Sequence, residues 1–325
     1  MKARILLTGK DGQIGSALLR LLPKIGEVFA PGRHELDLAD TENIRRVVRT
    51  IRPQLIVNAA AYTKVDAAES DEANARAVNA DAPARLAEEA KKIGAAIVQY
   101  STDYVFDGLK GAPYEETDAT NPISIYGKTK LAGELAVRES GAPYLILRTA
   151  WVYATHGRNF LLTMLRLATE KEELRIVRDQ IGAPTWSPEI AAATTEILAQ
   201  VLERSSASSA FPLLSGIYHL TAAGETTWCD FARAILEEAS HTPESVPWFA
   251  AATDGRPLHT RRIIPISTQE FPTAAARPAY SVLSNSLLIQ TFGIQMQNWR
   301  TQLRRAFAFG GTRQQELPTL ARIAP

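Results

Sequence analysis

The sequence has little of several features that mark particular classes of protein. It contains one cysteine, Cys229, in 325 residues, so no intrachain disulfide and no multi-cysteine metal site can form. Lysine plus arginine total 36 against 35 aspartate plus glutamate, which leaves no charge imbalance to attract nucleic acid or an anionic membrane. No apolar run approaches the roughly 18–20 residues of a membrane span. We therefore expect a globular protein that binds neither nucleic acid nor membrane.

The N-terminal segment also lacks the pattern of a secretory signal. After Met1–Arg4 the apolar run covers only Ile5–Leu7 and ends at Thr8. A signal peptide needs a longer apolar stretch and a cleavage site of small residues. The single cysteine fits a reducing compartment. These observations predict a cytoplasmic location.

The first half of the chain alternates short apolar runs with helical patterns. The predicted strands are residues 4–7, 27–30, 55–58, 96–100 and 144–148. The predicted helices between them are residues 12–22, 41–51, 74–93 and 126–139, and Thr41 is expected to cap the second helix. This alternation, with almost continuously apolar strands, predicts an α/β fold with a doubly wound parallel sheet of the Rossmann type. Ligands would bind at the carboxyl ends of its strands.

The second half is less regular, and we expect a smaller, mixed domain there that binds the substrate. The dinucleotide-binding domain is expected to cover residues 1–155, with a returning strand and helix near 172–203. In particular, residues 174–177 are predicted to add a strand to the same sheet. The remaining assignments are residues 156–171 and 204–309 for the smaller domain and 310–325 for a flexible tail.

A glycine-rich turn follows the first strand and is typical of dinucleotide binding. Gly9, Gly12 and Gly15 have the spacing G-x-x-G-x-x-G, and a helix follows. Gly9 would allow the tight turn, Gly12 would let backbone amides approach a pyrophosphate, and Gly15 would let the helix pack closely. The helix N-terminus would then face the anion. The position after the first strand predicts a dinucleotide cofactor, with an ordinary glycine-rich turn as the alternative.

The end of the second strand favours NADPH over NADH. An acid there would bind the ribose 2′-hydroxyl, and a base would favour a 2′-phosphate. Phe29–Gly32 contains no acid, and Arg33 follows directly. We therefore predict NADPH, with NADH as the alternative and with a solvated loop arginine as the simpler interpretation of Arg33. Asp37 lies further on, where it would approach the adenine.

A tyrosine and a lysine lie four residues apart on a predicted helix, where Tyr126 and Lys130 share one face. Free tyrosine has a pKa of about 10, and a nearby ammonium together with an oxidised nicotinamide would lower it toward neutrality. Thr102 ends the fourth strand, where its hydroxyl can bind the carbonyl group being reduced. Together with the glycine-rich turn, this pattern predicts proton transfer to a carbonyl oxygen, and a surface Tyr–Lys pair is the alternative.

Taken together, these motifs resemble the dTDP-4-dehydrorhamnose reductase family of the extended short-chain dehydrogenase/reductase superfamily. The resemblance runs from Lys2 to Phe307 and is carried by the segments Leu6–Gly15, Pro53–Asp66, Ser101–Gly108, Asn121–Lys130, Leu147–Tyr153, Asp179–Thr185 and Arg277–Pro278. The segment Ser101–Gly108, Ser-Thr-Asp-Tyr-Val-Phe-Asp-Gly, is specific for this family rather than for the superfamily.

The resemblance implies reduction of dTDP-4-dehydro-L-rhamnose to dTDP-L-rhamnose by NAD(P)H. It implies that Tyr126 is the proton donor, that Lys130 is its partner and that Thr102 binds the C4 oxygen. Asp103 and Trp151 would contact the dTDP-sugar, although Trp151 could equally belong to the core. The cofactor would be lined by Gly12, Gln13, Ile14, Asp37, Leu38, Ala59, Ala60, Ala61 and Tyr62.

A diphosphate needs cationic partners, and the C-terminal half offers Arg256, Arg261, Arg262 and Arg277, each of which could also be a solvated surface residue. Some members of the family are dimers with magnesium held by interface glutamates. Here Ala17 stands at one such position, Glu189 could match a second, and residues 284–287 offer no clear third. We therefore predict no structural metal, and either a monomer or a homodimer.

Two other functions remain open at this point. One is a non-catalytic, nucleotide-binding regulatory subunit such as the methionine adenosyltransferase beta subunit, which resembles the same family. The other is a different 4-keto nucleotide-sugar reductase or an epimerase. The intact Thr102, Tyr126 and Lys130 favour an enzyme, but the choice of sugar depends on the irregular second half of the chain.

Overall fold

The computed structural model describes residues 2–203 and 213–310. The predicted tail therefore lies almost entirely outside the described residues. Within them, no helix has both the length and the apolar character needed to cross a membrane.

A six-stranded parallel sheet forms the centre of the molecule. In spatial order its strands are β10 (Gly216–His219), β5 (Tyr144–Thr149), β4 (Ala96–Thr102), β3 (Leu55–Asn58), β1 (Ala3–Thr8) and β2 (Gly26–Phe29). Every neighbouring pair is parallel. The order reverses between β1 and β3, as in a doubly wound sheet, and the predicted α/β fold class is confirmed.

The helices of the first half are α1 (Gln13–Leu21), α2 (Thr41–Ile51), α3 (Val65–Ala68), α4 (Glu72–Arg76), α5 (Ala82–Ile93) and α6 (Ile125–Glu139). The helix predicted at residues 74–93 is interrupted by a π-helical turn at Ala77–Asp81. Asp40, rather than Thr41, caps α2, because its carboxylate accepts the backbone N–H groups of Glu42 and Asn43.

The second half contains α7 (Phe160–Glu170), α8 (Ser187–Glu203), α9 (Trp228–Ser240), α10 (Pro247–Thr253), α11 (Ser286–Phe292) and α12 (Trp299–Ala308). Its strands outside the central sheet are β6 (Val152–Tyr153), β7 (Glu173–Val177), β8 (Ile181–Gly182), β9 (Thr185–Trp186), β11 (Thr226–Thr227) and β12 (Arg262–Ile266).

The prediction that residues 174–177 join the central sheet was wrong. The strand forms as β7, but it pairs in parallel with β12, and β10 takes the place beside β5. The physical reason lies in the alternation of Leu174 and Ile176, which are buried, with Glu173 and Arg175, which are exposed. A strand with one apolar face suits a sheet with one covered face, not a sheet covered on both.

Apolar side chains from the helices cover both faces of the central sheet, and a cluster apart from the sheet forms a second core. Helix α8 packs on α1 against one face of the sheet, as expected for a returning helix. A second cluster is built from α7, β7, α9, α10 and α12, with Leu161, Leu165 and Phe231 fully buried in it. This second core is compatible with the predicted smaller domain, and the division of the chain into domains stays a prediction.

Candidate active site

The glycine-rich turn between β1 and α1 owes its glycines to close approaches. Gly9 has a φ of 69°, and a Cβ there would lie 2.6 Å from the backbone nitrogen of Ala60. A Cβ on Gly15 would collide with the carbonyl oxygen of Gly9. The glycine-rich turn thus packs against the loop after β3. Gly15, at the start of α1, packs against the glycine-rich turn rather than against the sheet.

A cavity of about 530 Å³ opens beside this turn. Eight of the predicted cofactor residues line it, namely Gly9, Gly12, Arg33, Asp37, Leu38, Ala60, Ala61 and Tyr62. The backbone N–H groups at the start of α1 have no side-chain cap, since Gly12 stands at the N-cap position. An uncapped helix N-terminus beside a cavity of this size fits the pyrophosphate of a dinucleotide.

The other predicted cofactor residues do not line this cavity. Ile14 and Ala59 pack against the core, and Gly15 lies beneath the turn. The side-chain oxygen of Gln13 accepts a hydrogen bond from Asn159 at 2.8 Å, which ties the turn to the start of α7. Tyr126 and Lys130 also lie outside the cavity and belong to the catalytic group described below.

Sequence reasoning missed Lys10, which lines the same cavity as Arg33. A Cβ on Gly32, at the end of β2, would lie 3.6 Å from the Lys10 ammonium. The Glu35 carboxylate holds the Gly32 backbone N–H at 2.6 Å and so fixes this loop. Lys10 and Arg33 therefore both place positive charge at the wall of this cavity. The sequence offered a signal for Lys10, because it is part of the glycine-rich turn.

The residues predicted to be catalytic lie at the carboxyl end of β4 and in the first turns of α6. Ser124 caps α6 by accepting the Gly127 N–H at 3.1 Å. A Cβ on Gly127 would collide with the carbonyl oxygen of Tyr104, so α6 lies directly on the turn that follows β4. This contact brings the Tyr126 phenol beside the Thr102 hydroxyl. The structure thus groups Thr102 and Tyr126 as the sequence predicts.

The protein groups around Tyr126 raise its pKa, whereas the expected lowering depends on an oxidised nicotinamide and stays a prediction. Burial raises the pKa of Tyr126 to about 12, against a smaller lowering by the Thr102 hydroxyl, and the Asp103 carboxylate raises it further. The Lys130 ammonium is not among the groups that shift it. The protein groups alone therefore keep the phenol neutral, which is the protonation state that a proton donor needs.

Lys130 is held away from solvent by the backbone of β4. Its ammonium donates to the carbonyl oxygen of Tyr100 at 2.7 Å, and the residue is 4% exposed. Burial lowers the pKa of Lys130 to about 8, and the Glu134 carboxylate one turn further along α6 opposes this shift. An ammonium has three N–H donors, so this contact leaves Lys130 with capacity for a ligand.

Asp103 lies directly after Thr102 and is 2% exposed. Burial raises the pKa of Asp103 to about 6, while hydrogen bonds from Ser281 and Thr102 oppose the shift. The Thr102 hydroxyl donates to the Asp103 carboxylate at 3.0 Å. Thr102, which is expected to bind the C4 oxygen, is therefore hydrogen-bonded to a carboxylate whose pKa is raised to about 6.

Trp151 has a strained backbone and a stacked side chain. Its φ of 46° is rare for a bulky residue. Its indole stacks on that of Trp228, with ring centroids 3.5 Å apart and an interplanar angle of 4°. Strain of this kind persists only where the surroundings enforce it, and it clusters at functional sites. Whether Trp151 contacts a ligand stays a prediction.

A second cavity, of about 640 Å³, lies in the second half of the molecule. Its walls come from α7, β7, Trp228 and residues 266–277. Of the four arginines predicted to bind a diphosphate, Arg277 lines this cavity, whereas Arg256, Arg261 and Arg262 do not. Sequence reasoning missed Lys171 and Arg175, which do line it, because only the fold of β7 brings them there.

The glutamate expected at a metal site is committed to an ion pair. Glu189 is fully buried and accepts from the Arg305 guanidinium at 2.6 Å. Ala17, at the other position, is 5% exposed and offers no ligand atom. Among residues 2–203 and 213–310, no group of three or more His, Cys, Asp or Glu side chains is arranged to hold a metal ion. These residues do not fit the magnesium site of the family.

Comparison with known proteins identifies close relatives. A family model described as the RmlD substrate binding domain matches residues 2–309. The chain is 49% identical over 297 residues to the dTDP-4-dehydrorhamnose reductase of Burkholderia thailandensis, covering 91% of this chain and 95% of that relative. It is 41% identical over 305 residues to the enzyme of the same name from Escherichia coli K12, covering 93% and 96%.

Solved structures give the same result. The dTDP-4-dehydrorhamnose reductase of Bacillus anthracis, in complex with NADP, superposes with a TM-score of 0.81 at 35% identity and covers 95% of this chain and 99% of that one. The UDP-glucose 4-epimerase of Thermus thermophilus, with a TM-score of 0.69 at 22% identity over 94% and 99% of the two chains, shares the fold. The predicted resemblance is confirmed: this chain belongs to the dTDP-4-dehydrorhamnose reductase family.

Proposed function

We propose that this chain reduces dTDP-4-dehydro-L-rhamnose to dTDP-L-rhamnose with NADPH. The observation that carries the proposal is the group at the end of β4, where a half-buried, neutral Tyr126 phenol lies beside the hydroxyl of the buried Thr102. A 4-keto sugar needs hydride at C4 and a proton at its oxygen, and this group supplies the proton. The reductases from Burkholderia thailandensis and Escherichia coli support the same activity.

Each residue of the group has a separate task. NADPH, when bound, supplies the hydride. In this proposal the Thr102 hydroxyl turns its one proton from the Asp103 carboxylate to the C4 oxygen and so orients the carbonyl group. Tyr126 transfers its phenolic proton to that oxygen as negative charge develops there. Lys130, one turn along the same helix, donates to the Tyr100 carbonyl oxygen and has N–H donors left to hold the nicotinamide ribose beside Tyr126.

The cofactor cavity supports NADPH. Its walls contain the glycine-rich turn with Gly9 and Gly12, which leads into the uncapped start of α1. They also contain two cationic side chains, Lys10 and Arg33. No acid stands at the end of β2, where one would select the ribose 2′-hydroxyl of NADH. The relative from Bacillus anthracis has been solved with NADP. NADH remains the alternative cofactor.

The dTDP-sugar fits the larger cavity. Its walls offer apolar side chains for a base, and Lys171 and Arg175 offer positive charge for a diphosphate. Trp228 lines this cavity and stacks on Trp151, which follows β5 at the carboxyl end of the sheet. We therefore propose that Asp103 and Trp151 contact the sugar. In this proposal the two predicted domains each hold one ligand.

The alternatives have less support. A regulatory subunit has no need for the group of Thr102, Tyr126 and Lys130. The similarity to an epimerase, at 22% identity, is one of fold. The two relatives that are 49% and 41% identical to this chain are named as reductases, and neither alternative is favoured.

A turnover assay tests the proposal. NADPH absorbance is followed with dTDP-4-dehydro-L-rhamnose made in place by upstream enzymes, and the Tyr126→Phe variant runs in parallel. We expect oxidation that depends on the sugar nucleotide and that falls by about 10²-fold or more in the variant. Wild-type protein that binds NADPH but does not oxidise it with this sugar would contradict the proposal. Retained turnover in Tyr126→Phe would remove Tyr126 from the role of proton donor.

A further inference from the structure

An ion pair joins the segment after the cofactor loop to the C-terminal half of the chain. The two terminal nitrogens of Arg277 donate to the two carboxylate oxygens of Asp66, at 3.1 and 2.7 Å. One of these oxygens also accepts the backbone N–H of Ala275 at 3.1 Å. Asp66 belongs to α3, directly after the residues that line the cofactor cavity. The bidentate geometry fixes both the position and the plane of the guanidinium.

The guanidinium is also held by its own segment. Arg277 donates to the carbonyl oxygen of Ala275 at 2.9 Å and to the hydroxyl of Thr273. Burial would lower the pKa of Arg277, but the hydrogen bond to Asp66 and the nearby Tyr104 hydroxyl raise it above its ordinary value. Most of the donors of Arg277 are therefore committed within the protein. Such an arginine is better suited to hold neighbouring side chains than to act as a mobile cation for a ligand.

Tyr104 connects this ion pair to the catalytic tyrosine. Its hydroxyl lies beside the Arg277 guanidinium, and its ring meets the ring of Tyr126 edge-on, with centroids 5.5 Å apart and planes at 79°. At the backbone, the Tyr104 N–H donates to the Thr102 hydroxyl at 3.2 Å. Tyr104 thus touches both residues that are proposed to meet the C4 oxygen. An edge-on aromatic contact restricts how the partner ring can tilt.

We propose that Asp66 and Arg277 are positioning residues for the reaction, because they hold Tyr104 against Tyr126 and so fix the direction in which the phenol offers its proton. This inference rests on the proposed function. It differs from a role of Arg277 as a ligand of the diphosphate, which would affect substrate binding instead. A small misplacement of a proton donor costs rate in the chemical step while leaving binding nearly intact.

The test uses the variants Asp66→Asn, Arg277→Lys and Tyr104→Phe, with the double variant Asp66→Asn/Tyr104→Phe. Glu237→Gln is the matched control, since Glu237 also pairs with an arginine of a distant helix, Arg300, but lies outside both cavities. We expect kcat to fall about tenfold or more in each single variant, and KM for both substrates to change less than about threefold. The double variant is expected to resemble the singles, because both substitutions break one linkage.

A raised KM for the dTDP-sugar with unchanged kcat in Arg277→Lys would overturn the proposal and make Arg277 a substrate ligand. Unchanged kcat in all three variants, or additive losses in the double variant, would also overturn it. Thermal unfolding and NADPH binding are measured on every variant to show that it is folded. Tyr104→Phe keeps the aromatic ring, so it tests the linkage even if the other variants fail to fold.

A second readout separates this proposal from the proposed function. The ring-carbon NMR signal of Tyr126, assigned by its loss in Tyr126→Phe, is expected to shift in Asp66→Asn and Arg277→Lys but not in Glu237→Gln. This shift requires no turnover. Failure of the wild-type assay with the shift present would reject the activity alone, whereas an unmoved Tyr126 signal in both variants would reject the positioning role.

Discussion

The ammonium of Lys130 donates a hydrogen bond to the backbone carbonyl oxygen of Tyr100 at 2.7 Å, and both residues are buried. The lysine predicted to take part in catalysis is therefore held by the strand at whose end Thr102 lies. Burial lowers the pKa of Lys130 to about 8, so its charge is lost at a pH where an exposed lysine would keep it. The protonation of this one residue then links the fold to the pH dependence of the reaction.

We predict that kcat/KM falls as pH rises through about 8, because Lys130 loses the positive charge with which it is proposed to hold the nicotinamide ribose beside Tyr126. Lys130→Arg is expected to remove this limb of the profile, since arginine stays protonated. Lys128→Arg, an exposed neighbour on α6, is the control and should leave it in place. The profile is measured from initial rates with NADPH. A limb that persists in Lys130→Arg would assign the titration to another group.

Asp103 should leave a signature in the pH dependence of stability. Its folded pKa of about 6 lies above its ordinary value of 3.8, so the folded state binds this proton more tightly than the unfolded state does. The free energy of unfolding contributed by Asp103 is therefore greatest below about pH 4 and is lost as pH rises through about 6, a change of about 3 kcal/mol. Asp103→Asn should gain stability relative to the wild type at pH 7 but not at pH 4. Urea unfolding at both values tests this, and an equal difference at both would contradict it.

Cofactor preference should depend on Lys10 and on Gly32. Lys10→Ala is expected to raise KM for NADPH about tenfold or more while leaving KM for NADH unchanged, because a charge-assisted contact to the 2′-phosphate is lost. Lys24→Ala, outside the cavity, is the control. Gly32→Asp should favour NADH, and the site tolerates it, since a Cβ there makes only ordinary contacts at 3.6 Å. Equal effects of Lys10→Ala on both cofactors would refute the assignment.

The buried carboxylate of Glu189 should depend on Arg305. Arg305→Ala leaves Glu189 without its ion-pair partner, at an expected cost of about 1–3 kcal/mol in the free energy of unfolding, a value reduced because Arg305 is 39% exposed. Glu189→Gln/Arg305→Ala should recover part of that loss, because an amide is cheaper to bury than an unpaired charge. Thermal unfolding of the variants decides the matter. An unchanged unfolding temperature of Arg305→Ala would contradict this prediction and show that the ion pair adds no measurable stability.

Local patterns predicted most of the central sheet, since its strands are short apolar runs and its turns carry glycine or proline. The same patterns failed at β7, where Leu174 and Ile176 were read as a fully buried strand although charged residues alternate with them. They also failed to show the π-helical turn at Ala77–Asp81. That turn lies inside a run of good helix formers, and the contact of its Asn79 backbone with Gly133 of α6 is not readable from either segment alone.

The site was predicted as far as its residues lie on sequence motifs. Thr102 and Tyr126 lie together as expected, because Thr102 ends a strand that the sequence predicts and Tyr126 lies on a helix that it predicts. The raised pKa of Tyr126 was not predicted, since it depends on burial by the surrounding fold rather than on the spacing of Lys130. The stacking of Trp228 on Trp151 likewise joins two distant segments, and no local pattern encodes it.

Isotope transfer tests the central claim most directly. NADPH carrying deuterium at C4 of the nicotinamide, supplied with each face labelled in turn, is mixed with dTDP-4-dehydro-L-rhamnose and the enzyme. The product is then examined by NMR. The account predicts dTDP-L-rhamnose with deuterium at C4 of the sugar from one labelled face only, formed in step with NADPH oxidation. Oxidation that places no deuterium at C4 of the sugar with either face labelled, or a product other than dTDP-L-rhamnose, would contradict it.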